Sequence, residues 1–386
     1  MHIQRHLHER AALMLTKYPM IAVTGPRQSG KTTFCRQLCP DYQYLNMELT
    51  ENQQFARQDP HRFLQLYKGG VIFDEVQNVP ELFPYLQHYT DLRNEPGEYV
   101  LSGSQHFLLL EKITQSLAGR VSIFNLLPFS LEELKGSPWE KNTWEAYLWT
   151  GFYPRLYDRD IAPTDFYPDY LQTYVERDVR QLLNVNNLAL FRNFITACAG
   201  RTGQLLNLTQ LGTDVGIDVK TAKNWLSILE ASFIIYRLQP WFHNFNKRIV
   251  KTPKLYFYDT GLAAYLLGIR SMADLDPHFA RGALFENFVI NELLKNQFNA
   301  GDRPQFFFWQ DSNANEIDLL IDRVTNQSIV EIKAGKTIQP DFFKNLKLFK
   351  NMNPTTSGSW VVYGGDQMQP RTEATVLTWR DLAGLE

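Results

Sequence analysis

Cysteine is scarce in this chain, and long apolar runs are absent from it. Only three of its 386 residues are cysteines, at positions 35, 39 and 198, and their spacing is not that of a metal site. An odd number of cysteines argues against a disulfide framework. No apolar run approaches the roughly 20 residues that a transmembrane helix needs, and the N-terminus lacks the apolar stretch of a signal peptide. These absences predict a cytoplasmic protein with no membrane partner.

The chain also lacks an excess of charge of either sign. It has 39 Lys and Arg against 41 Asp and Glu, which gives a formal net charge of −2 at pH 7. Such a balance creates no global field that would attract a polyanion, so any contact with nucleic acid must come from a local basic patch. A chain of 386 residues is too long for one hydrophobic core, and roughly two to four domains are expected.

A glycine-rich loop near the N-terminus is the most informative motif that is present. It fits the pattern G-x-x-x-x-G-K-[ST], with an apolar strand before it and a predicted helix after it. In such a loop the backbone N–H groups wrap phosphates at the N-terminus of the helix. The two flanking elements disfavour the alternative, a glycine turn followed by Lys-Thr by chance. The predicted nucleotide-binding residues are Gly25, Pro26, Arg27, Gln28, Ser29, Gly30, Lys31, Thr32 and Thr33.

Two acidic residues, Asp74 and Glu75, directly follow a second apolar strand at 71–73. A nucleotide hydrolase needs such a strand beside the phosphate loop. Lys31 would then pair with the β- and γ-phosphates, and Thr32 and Asp74 would hold Mg²⁺. Glu75 would orient and polarise the attacking water. Acidic strand ends are common by themselves, but here a phosphate loop lies upstream, with room for an intervening crossover.

A third strand, at 98–105, ends in small polar residues. Its position after the Asp74-Glu75 strand would place Ser104 or Gln105 near the γ-phosphate, where the side chain would sense hydrolysis. A simple turn is the alternative for these residues. The His and Arg residues of the first ten positions are interpreted as a solvated helix face rather than a metal site, because no cysteine or carboxylate set joins them.

Four stretches together resemble a family of prokaryotic AAA-superfamily ATPases, whose members usually carry a C-terminal domain of unknown function (the 4143 domain). The resemblance covers nearly the whole chain and implies an ATP-hydrolysing core, a helical lid and assembly into a homo-oligomer. In AAA-type ATPases an arginine at the position of Arg120 reaches the γ-phosphate of a neighbouring subunit; a surface salt bridge is the alternative. The stretches are the phosphate loop, Asp74-Glu75, Leu101-Ser102-Gly103-Ser104 and Leu117-Ala118-Gly119-Arg120.

A winged helix-turn-helix is predicted at 191–252. A short helix, a turn, a second helix with one apolar face and a β-rich run precede a loop that would form the wing. From position 219 to 254 seven Lys and Arg stand against one acidic residue, which indicates phosphate binding. A module that only packs against protein is the alternative. The predicted nucleic-acid contacts are Lys220, Lys223, Lys247, Arg248 and Lys251.

Carboxylates and a lysine share faces of predicted elements in the last part of the chain. Asp318 lies on one strand, and Glu331 and Lys333 lie on one face of the next. The preceding helix contributes Glu286 or, as second choice, Glu292. A carboxylate on an apolar face must be paired, hydrogen-bonded or bound to metal. Convergent carboxylates suit Mg²⁺ or Mn²⁺, because both cations prefer oxygen ligands.

This order of residues resembles the PD-(D/E)XK nucleases, which include archaeal Holliday-junction resolvases. Carried over, the resemblance assigns Glu286, Asp318, Glu331 and Lys333 to catalysis, with Asp318 and Glu331 as metal ligands. The chain departs from the pattern at Ile317, where the name-giving proline would stand. The resemblance implies metal-dependent cleavage of nucleic acid. An inactive nucleic-acid-binding relic and an unrelated fold are the alternatives.

The expected architecture is α/β and has four parts. They are a P-loop ATPase core of the AAA type at 1–135, a helical lid at 136–190, the winged helix at 191–252 and a C-terminal α/β domain like that of restriction endonucleases at 253–386. The expected function is ATP hydrolysis coupled to binding, remodelling or cleaving DNA, with branched or single-stranded DNA as candidate substrates. The alternative is a nucleotide-controlled switch whose last domain only binds a partner.

Overall fold

The computed structural model describes residues 3–104, 109, 113, 115–175, 187–242, 252–323 and 326–385. Three of the predicted nucleic-acid contacts, Lys247, Arg248 and Lys251, lie outside these residues, as does Gln105. Two β-sheets organise the described part. A five-stranded sheet forms the N-terminal third, and an eight-stranded sheet lies in the remainder.

Five parallel strands form the first sheet: β1 (Met20–Thr24), β2 (Gln43–Asn46), β3 (Val71–Asp74), β4 (Tyr99–Gly103) and β5 (Val121–Asn125). Their order is β2-β3-β4-β1-β5. β1, β3 and β4 are buried along their whole length, as expected for a parallel sheet covered on both faces. Because parallel strands end at the same edge, the residues that follow these three strands come together there.

Helices pack on both faces of this sheet: α1 (Leu7–Leu15), α2 (Lys31–Leu38), α3 (Thr50–Gln58), α4 (Pro60–Leu66) and α5 (Phe83–Arg93). Successive strand residues point to opposite faces, so the apolar side chains divide between two clusters. Ile21, Val23 and Ile72 pack with α1 and α2 in one cluster. Ala22 and Phe73 pack with α3, α4 and α5 in the other.

A run of short helices follows β5: α6 (Leu131–Leu134), α7 (Trp144–Thr150), α8 (Pro154–Asp158), α9 (Pro163–Tyr170), α10 (Leu188–Ala199), α11 (Leu208–Val215) and α12 (Val219–Ala231). A polar side chain accepts a first-turn backbone N–H at the start of five of them, namely Ser130, Thr143, Asn187, Asn207 and Asp218. The predicted apolar face of the second helix-turn-helix helix is buried on α12, with Ala222, Trp225, Leu226 and Leu229.

The second sheet contains β6 (Ile235–Pro240), β7 (Lys254–Phe257), β8 (Phe306–Gln310), β9 (Glu316–Asp322), β10 (Gln327–Lys333), β11 (Thr356–Tyr363), β12 (Gln369–Pro370) and β13 (Thr375–Thr378). Their order is β12-β13-β11-β10-β9-β8-β6-β7. β8, β9 and β10 are antiparallel neighbours, whereas β10, β11 and β13 run parallel. The remaining helices are α13 (Thr260–Leu266), α14 (Met272–Leu275), α15 (Arg281–Ala300) and α16 (Lys344–Met352).

The two longer helices of this part, α15 and α16, cover opposite faces of the second sheet. Phe288 of α15 packs in the cluster that contains Leu319 of β9. Phe349 of α16 packs in the cluster that contains Leu320, the next residue of the same strand. α16 therefore covers the sheet with its apolar face. Within the described ranges no helix is long and apolar enough to cross a membrane.

The short helices and the second sheet share one hydrophobic core. A single cluster of buried side chains runs from Leu127 to Leu385 and draws on α7, α9, α12, α15 and β6. β6 also pairs with β8, so the strands predicted for the winged helix belong to the second sheet. The predicted boundaries at 190 and 252 lie inside this core, and the division into four parts stays a prediction.

Candidate nucleotide site and C-terminal charged cluster

Two glycines shape the loop between β1 and α2. A Cβ on Gly25 would lie 2.2 Å from the carbonyl oxygen of Leu126, so no larger residue fits there without a shift of the backbone. Gly30 precedes α2 with φ +94°, a conformation that L side chains rarely adopt. The chain therefore passes close to the end of β5 and then curls over the N-terminus of α2, where free backbone N–H groups bind anions.

Lys31 begins α2 and reaches back over the loop. It is 6% exposed, and its Nζ donates to the carbonyl oxygens of Gly25, at 3.0 Å, and Pro26, at 2.8 Å. Burial lowers the pKa of its ammonium group, against the opposing effect of the Glu75 and Asp74 carboxylates. The ammonium group is thus held inside the loop by carbonyl oxygens that phosphate oxygens can replace.

Asp74 ends β3 beside the loop and accepts hydrogen bonds from three hydroxyl groups. Thr32 Oγ1 lies 2.8 Å and Tyr44 Oη 2.7 Å from Asp74 Oδ2, and Ser102 Oγ donates to Oδ1. The Thr32 hydroxyl and the Asp74 carboxylate, both expected at a Mg²⁺ site, are therefore adjacent. Such oxygen ligands fit Mg²⁺, which usually keeps several waters and takes its remaining ligands from phosphates. Neither Tyr44 nor Ser102 was predicted as a site residue, because hydroxyl residues are common on strands.

Glu75 follows Asp74 in a left-handed conformation, with φ +55°. Its Oε2 accepts hydrogen bonds from the Ser104 backbone N–H, at 3.2 Å, from Ser104 Oγ, at 3.0 Å, and from Gln77 Nε2, at 2.5 Å. The residue expected to activate water and the residue expected to sense the γ-phosphate are thus in direct contact. Two hydrogen bonds join Ser104 to the Glu75 carboxylate.

A cavity of about 950 Å³ opens beside the phosphate loop. Lys31, Thr32 and Glu75 line one part of it, together with four arginines, Arg5, Arg27, Arg155 and Arg159. The other part is apolar and fits the base of a nucleotide, since small-ligand sites combine apolar walls with a few placed polar groups. These apolar residues share no motif and come from separate segments, which is why the sequence did not predict them. They are Ile3, Phe129, Trp139, Pro154 and Ile161.

Arg5 connects the phosphate loop to the chain that follows β5. Its guanidinium donates to the Ser29 carbonyl at 2.9 Å, to the Leu127 carbonyl at 2.6 Å and to Glu133 Oε1 at 2.9 Å. Burial alone would raise the pKa of Glu133, but Arg5 and backbone N–H groups lower it below its usual value. The interpretation of the first ten residues as a solvated face is wrong for Arg5, which is 6% exposed because it bridges two segments.

Arg120 lies at the opposite edge of the first sheet from the phosphate loop. It directly precedes β5, which is parallel to β1, and the loop follows the other end of β1. The guanidinium forms a bidentate pair with Asp91 of α5, with Nε–Oδ1 at 2.5 Å and Nη2–Oδ2 at 2.8 Å. Arg120 therefore does not reach the nucleotide site of its own chain. Its contact with a neighbouring subunit stays a prediction.

Lys220 and Lys223 are exposed on α12, on the side away from the buried Trp225. Neither lysine forms an ion pair with another residue that the structure describes. Both ammonium groups are therefore accessible to an anionic partner such as a phosphate backbone. Binding of nucleic acid at this surface stays a prediction.

β9 and β10 bring Asp318, Glu331 and Lys333 together. Lys333 Nζ lies 3.2 Å from Asp318 Oδ2 and 2.8 Å from Glu331 Oε1. The same Asp318 oxygen accepts the backbone N–H of Ile332 at 2.7 Å. The backbone pairing of β9 with β10 stops just before these residues, and the Asp318 carboxylate satisfies a backbone group beyond that point.

Glu286 of α15 joins the same cluster through a second lysine. Lys254 Nζ, on β7, lies 3.2 Å from Glu286 Oε1 and 2.5 Å from Glu316 Oε1, and Tyr256 Oη donates to Glu286. We call these residues, with the three of β9 and β10, the C-terminal charged cluster. Lys254 and Tyr256 were not among the predicted site residues. A lysine that begins an otherwise apolar strand was the signal that could have identified Lys254.

Glu292, the second choice for the helix carboxylate, is buried outside this cluster. Its Oε1 lies 2.6 Å from Lys295 Nζ, and its Oε2 accepts the Leu131 backbone N–H at 2.5 Å. Lys295 Nζ also donates to the Phe129 carbonyl at 2.8 Å. The geometry therefore favours Glu286 as the helix carboxylate. Glu292 instead joins α15 to the chain that lines the nucleotide cavity.

Comparison with known families matches three segments of the chain. A family described as AAA domain matches residues 17–135, and families described as domains of unknown function match 141–273 (DUF8612) and 281–382 (DUF4143). The chain carries an AAA domain and a C-terminal DUF4143 domain. The phosphate loop, Asp74 and Glu75 lie in the AAA domain, whereas Asp318, Glu331 and Lys333 lie in the DUF4143 domain. This confirms the predicted AAA-type core.

Two relatives match this chain along almost its full length. An uncharacterized protein of Mycobacterium tuberculosis is 28% identical over 376 residues, which are 97% of this chain and 82% of the relative, and one of Mycobacterium bovis matches equally. Among solved structures, a Walker-type ATPase of Pyrococcus abyssi has a TM-score of 0.46 at 15% identity and covers 67% of this chain and 94% of its own. AMPPCP-bound DnaA from Aquifex aeolicus has a TM-score of 0.31 at 13% identity, and the match covers 58% of this chain and 86% of the DnaA chain.

Burial strongly affects the carboxylates of the C-terminal charged cluster. It raises the pKa of Glu286 to about 7 and that of Glu331 to about 8, and repulsion by Asp318 adds to both shifts. Burial alone would lower the pKa of Lys333, but Asp318 and Glu331 raise it. The cluster therefore has an excess of negative charge that added positive charge would relieve.

A divalent cation bound by Asp318 and Glu331 of the DUF4143 domain would offset this excess of negative charge. Glu331 Oε2 is buried and has no hydrogen-bond partner in the described part of the chain. Mg²⁺ is commonly bound by one or two carboxylates together with waters and substrate phosphates. No group of three or more His, Cys, Asp or Glu side chains among the described residues is placed to hold a metal, so most ligands would come from water or substrate.

Proposed function

We propose that the AAA domain binds ATP together with Mg²⁺ and hydrolyses it. The observation that carries this proposal is the 2.8 Å contact between Thr32 and Asp74 beside a phosphate loop that curls over α2. Lys31 binds the β- and γ-phosphates in place of the loop carbonyls, and Thr32 and Asp74 hold the Mg²⁺. The bound Mg²⁺ neutralises negative charge on the phosphates.

In this proposal Glu75 positions and polarises the attacking water. Ser104, which donates to Glu75 Oε2 at 3.0 Å, responds to the loss of the γ-phosphate. The base of the nucleotide occupies the apolar part of the cavity, next to Phe129 and Trp139. Arg5 maintains the shape of the loop through the Ser29 carbonyl.

The test measures ATP binding and phosphate release separately. We expect Glu75→Gln to keep ATP binding and to lower turnover by about 100-fold or more, because it loses the carboxylate that polarises water. Lys31→Ala should lose both properties. The matched control is Glu95→Gln, an exposed carboxylate outside the site, which should leave both unchanged. Undiminished turnover by Glu75→Gln, or no ATP binding by the wild type, would contradict the proposal.

We further infer that ATP turnover is coupled to metal-dependent binding or cleavage of DNA at the C-terminal charged cluster. Lys333 lies within 3.2 Å of both Asp318 and Glu331, and the unpartnered Glu331 Oε2 is available to a cation. A lysine beside a metal can position water and stabilise the charge that develops on a phosphate. From α15 to β11 the chain forms a helix, three antiparallel strands, a second helix and a strand parallel to the third. This order of elements supports the same inference.

The experiment incubates branched and single-stranded DNA with the protein and Mg²⁺ or Mn²⁺. We expect cleavage by the wild type and none by Lys333→Ala, while the response to Lys31→Ala shows whether ATP controls it. Lys336→Ala is the control, because this exposed lysine lies three residues further on and pairs with Glu145. Cleavage that survives Lys333→Ala would exclude this cluster as the nuclease site.

A nucleotide-controlled switch is the second candidate function. It is favoured by the internal pairing of the cluster, in which Lys254 and Lys333 each contact two carboxylates, as in an inert binding module. Salt dependence of DNA affinity separates the two candidates. A DNA-binding protein loses affinity steeply as salt rises, because counterions are released from the phosphates, whereas the switch has no such requirement.

A further inference from the structure

Lys254 is an unusual member of the C-terminal charged cluster because it is almost completely buried. It is 2% exposed, and its Nζ lies 3.2 Å from Glu286 Oε1 and 2.5 Å from Glu316 Oε1. The two carboxylates are also held by other donors, Tyr256 Oη at Glu286 and Gln310 Nε2, at 3.1 Å, at Glu316. Glu286 and Glu316 are therefore already bound by donors of the protein itself.

The other half of the cluster differs in one respect. Lys333 contacts Asp318 and Glu331 in the same way, but Glu331 Oε2 is left without a partner among the described residues, and Glu331 is 3% exposed. A buried carboxylate oxygen without a donor is costly. The place that lacks a positive charge is thus beside Glu331, and not beside Lys254.

The formal charges of the cluster give the size of this deficit. A metal ion binds ionised carboxylates, and with all four ionised each half combines one lysine with two carboxylates and carries −1, which makes −2 for the whole cluster. One divalent cation cancels this charge. Two divalent cations would reverse it to +2, which is as unfavourable in a buried site as the original excess.

We propose that the cluster takes a single divalent cation and that the Lys254 ammonium group occupies the place of a second one, between Glu286 and Glu316. The inference rests on the proposed function of the same site. Lys254 is a positioning residue: it keeps Glu286 and Glu316 engaged, so that Asp318 and Glu331 supply the carboxylate ligands. Lys254 lies outside the segment that matches DUF4143, so a residue of the preceding segment sets the number of ions in that domain.

The test counts Mn²⁺ ions bound by the full-length chain without nucleotide, from the electron paramagnetic resonance signal of free Mn²⁺. The number of Mn²⁺ ions bound by Asp318→Asn is subtracted from each count. We expect one ion for the wild type and one for Lys254→Arg, which keeps the charge. We expect two for Lys254→Met, because Glu286 and Glu316 lose their internal cation. Two ions on the wild type, or one ion on folded Lys254→Met, would overturn the inference.

Because Lys254 is buried, two variants that retain it are measured alongside. Glu286→Gln should still bind one ion, since Lys254 and not the metal is its partner. Glu331→Gln should bind none. Circular dichroism establishes that each variant is folded. Loss of the ion in folded Glu286→Gln would make Glu286 a metal ligand and would overturn the inference independently of Lys254→Met.

DNA cleavage is measured on the same preparations, so that the two proposals fail separately. One bound ion without cleavage overturns the nuclease proposal and supports the role of Lys254. Cleavage with two bound ions supports the nuclease proposal and overturns the role of Lys254. The role of Lys254 is also overturned if the wild-type chain binds no more Mn²⁺ than Asp318→Asn does.

Discussion

Arg5 shows how one residue outside any motif can control a motif. It bonds to the Ser29 carbonyl in the phosphate loop and pairs with Glu133, and the two charged side chains are 6% and 0% exposed. Removing one member of a buried pair leaves the other charge unpaired, at a cost of about 3–5 kcal/mol. We expect Arg5→Ala to lower the free energy of unfolding by about that amount and to weaken ATP binding, as measured by denaturant unfolding and nucleotide titration.

Two comparisons separate the roles of Arg5 in stability and in binding. Arg57→Ala breaks an exposed pair with Glu81 and should leave the unfolding free energy almost unchanged. The double change Arg5→Met with Glu133→Leu should recover part of the lost stability, because no unpaired charge stays buried, while the backbone N–H groups of His6 and Ser130 lose their acceptor. It should not recover ATP affinity, since the bond to the Ser29 carbonyl is lost. Full ATP affinity in Arg5→Ala would contradict the role assigned to that bond.

Arg120 tests whether the protein works as a homo-oligomer. It is too far from its own phosphate loop and is engaged by Asp91, so any effect on hydrolysis must occur in a neighbouring chain. We expect Arg120→Ala and Lys31→Ala to be inactive separately. Mixed, they should regain part of the ATPase rate, because one chain supplies the arginine and the other an intact site. The measurement is phosphate release against mixing ratio.

Asp91→Asn is the companion variant to Arg120→Ala. It removes the partner that holds the guanidinium while leaving Arg120 itself intact, so it should keep or raise the ATPase rate. Sedimentation shows whether the mixed chains assemble. If they assemble without recovery of activity, Arg120 is only a surface ion pair.

At the scale of elements, α15 and the chain after β5 form one connected unit. Glu292 accepts the Leu131 backbone N–H, and Lys295 donates to the carbonyl of Phe129, whose ring lines the nucleotide cavity. We expect Lys295→Met to destabilise the fold by about 3–5 kcal/mol, because Glu292 becomes an unpaired buried charge. It should also weaken ATP binding, measured by titration with a fluorescent analogue, because the position of Phe129 is no longer fixed.

The control for this element is Lys347→Met on α16, where the lysine is exposed and pairs with Glu373. It should change neither unfolding nor ATP binding. Adding Glu292→Leu to Lys295→Met should restore part of the stability, since the unpaired carboxylate is then absent while the Leu131 N–H loses its acceptor. Unchanged ATP affinity in folded Lys295→Met would show that α15 does not position the cavity wall.

The sequence predicted the phosphate loop and the Asp74-Glu75 strand because each is a local pattern with its own physical requirement. Loop glycines and an adjacent Lys-Thr are contiguous, so no knowledge of the fold was needed. Strand alternation predicted that Glu331 and Lys333 share a face, but their convergence with Asp318 depended on the pairing of β9 with β10. By contrast, Arg5 and Lys254 act through partners that are distant in sequence, between 24 and 128 residues away, and only the folded chain shows these pairs.

The apolar face of a helix was also predictable, whereas the assembly of parts was not. The apolar face of α12 follows from its period in the sequence. That β6 would pair with β8, and that the short helices would share a core with the second sheet, depends on contacts between distant segments. Alternating apolar residues show that a strand is half-buried, but not which neighbour it will pair with.

At the scale of the whole molecule, α15 joins the two sites. It spans 20 residues, about 30 Å, and contributes Glu286 to the charged cluster and Glu292 to the chain beside the nucleotide cavity. α15 is anchored at the first place by the buried ion pair of Glu286 with Lys254. At the second place Glu292 and Lys295 form hydrogen bonds to the backbone of Leu131 and Phe129, so a shift of the helix disturbs both sets of contacts. The two sites therefore have a direct mechanical connection within one chain.

Hydrogen exchange tests this connection. We expect saturating ATP to slow amide exchange in Glu75→Gln, both at the phosphate loop and along α15, because ordering of the cavity wall restricts the helix attached to it. Lys31→Ala should show neither effect, and α16, which packs on the other face of the second sheet, should not change. In Glu75→Gln that also carries Lys295→Met, protection should remain at the phosphate loop and disappear from α15. Protection limited to the loop in Glu75→Gln alone would mean that the nucleotide does not act on the charged cluster through this helix.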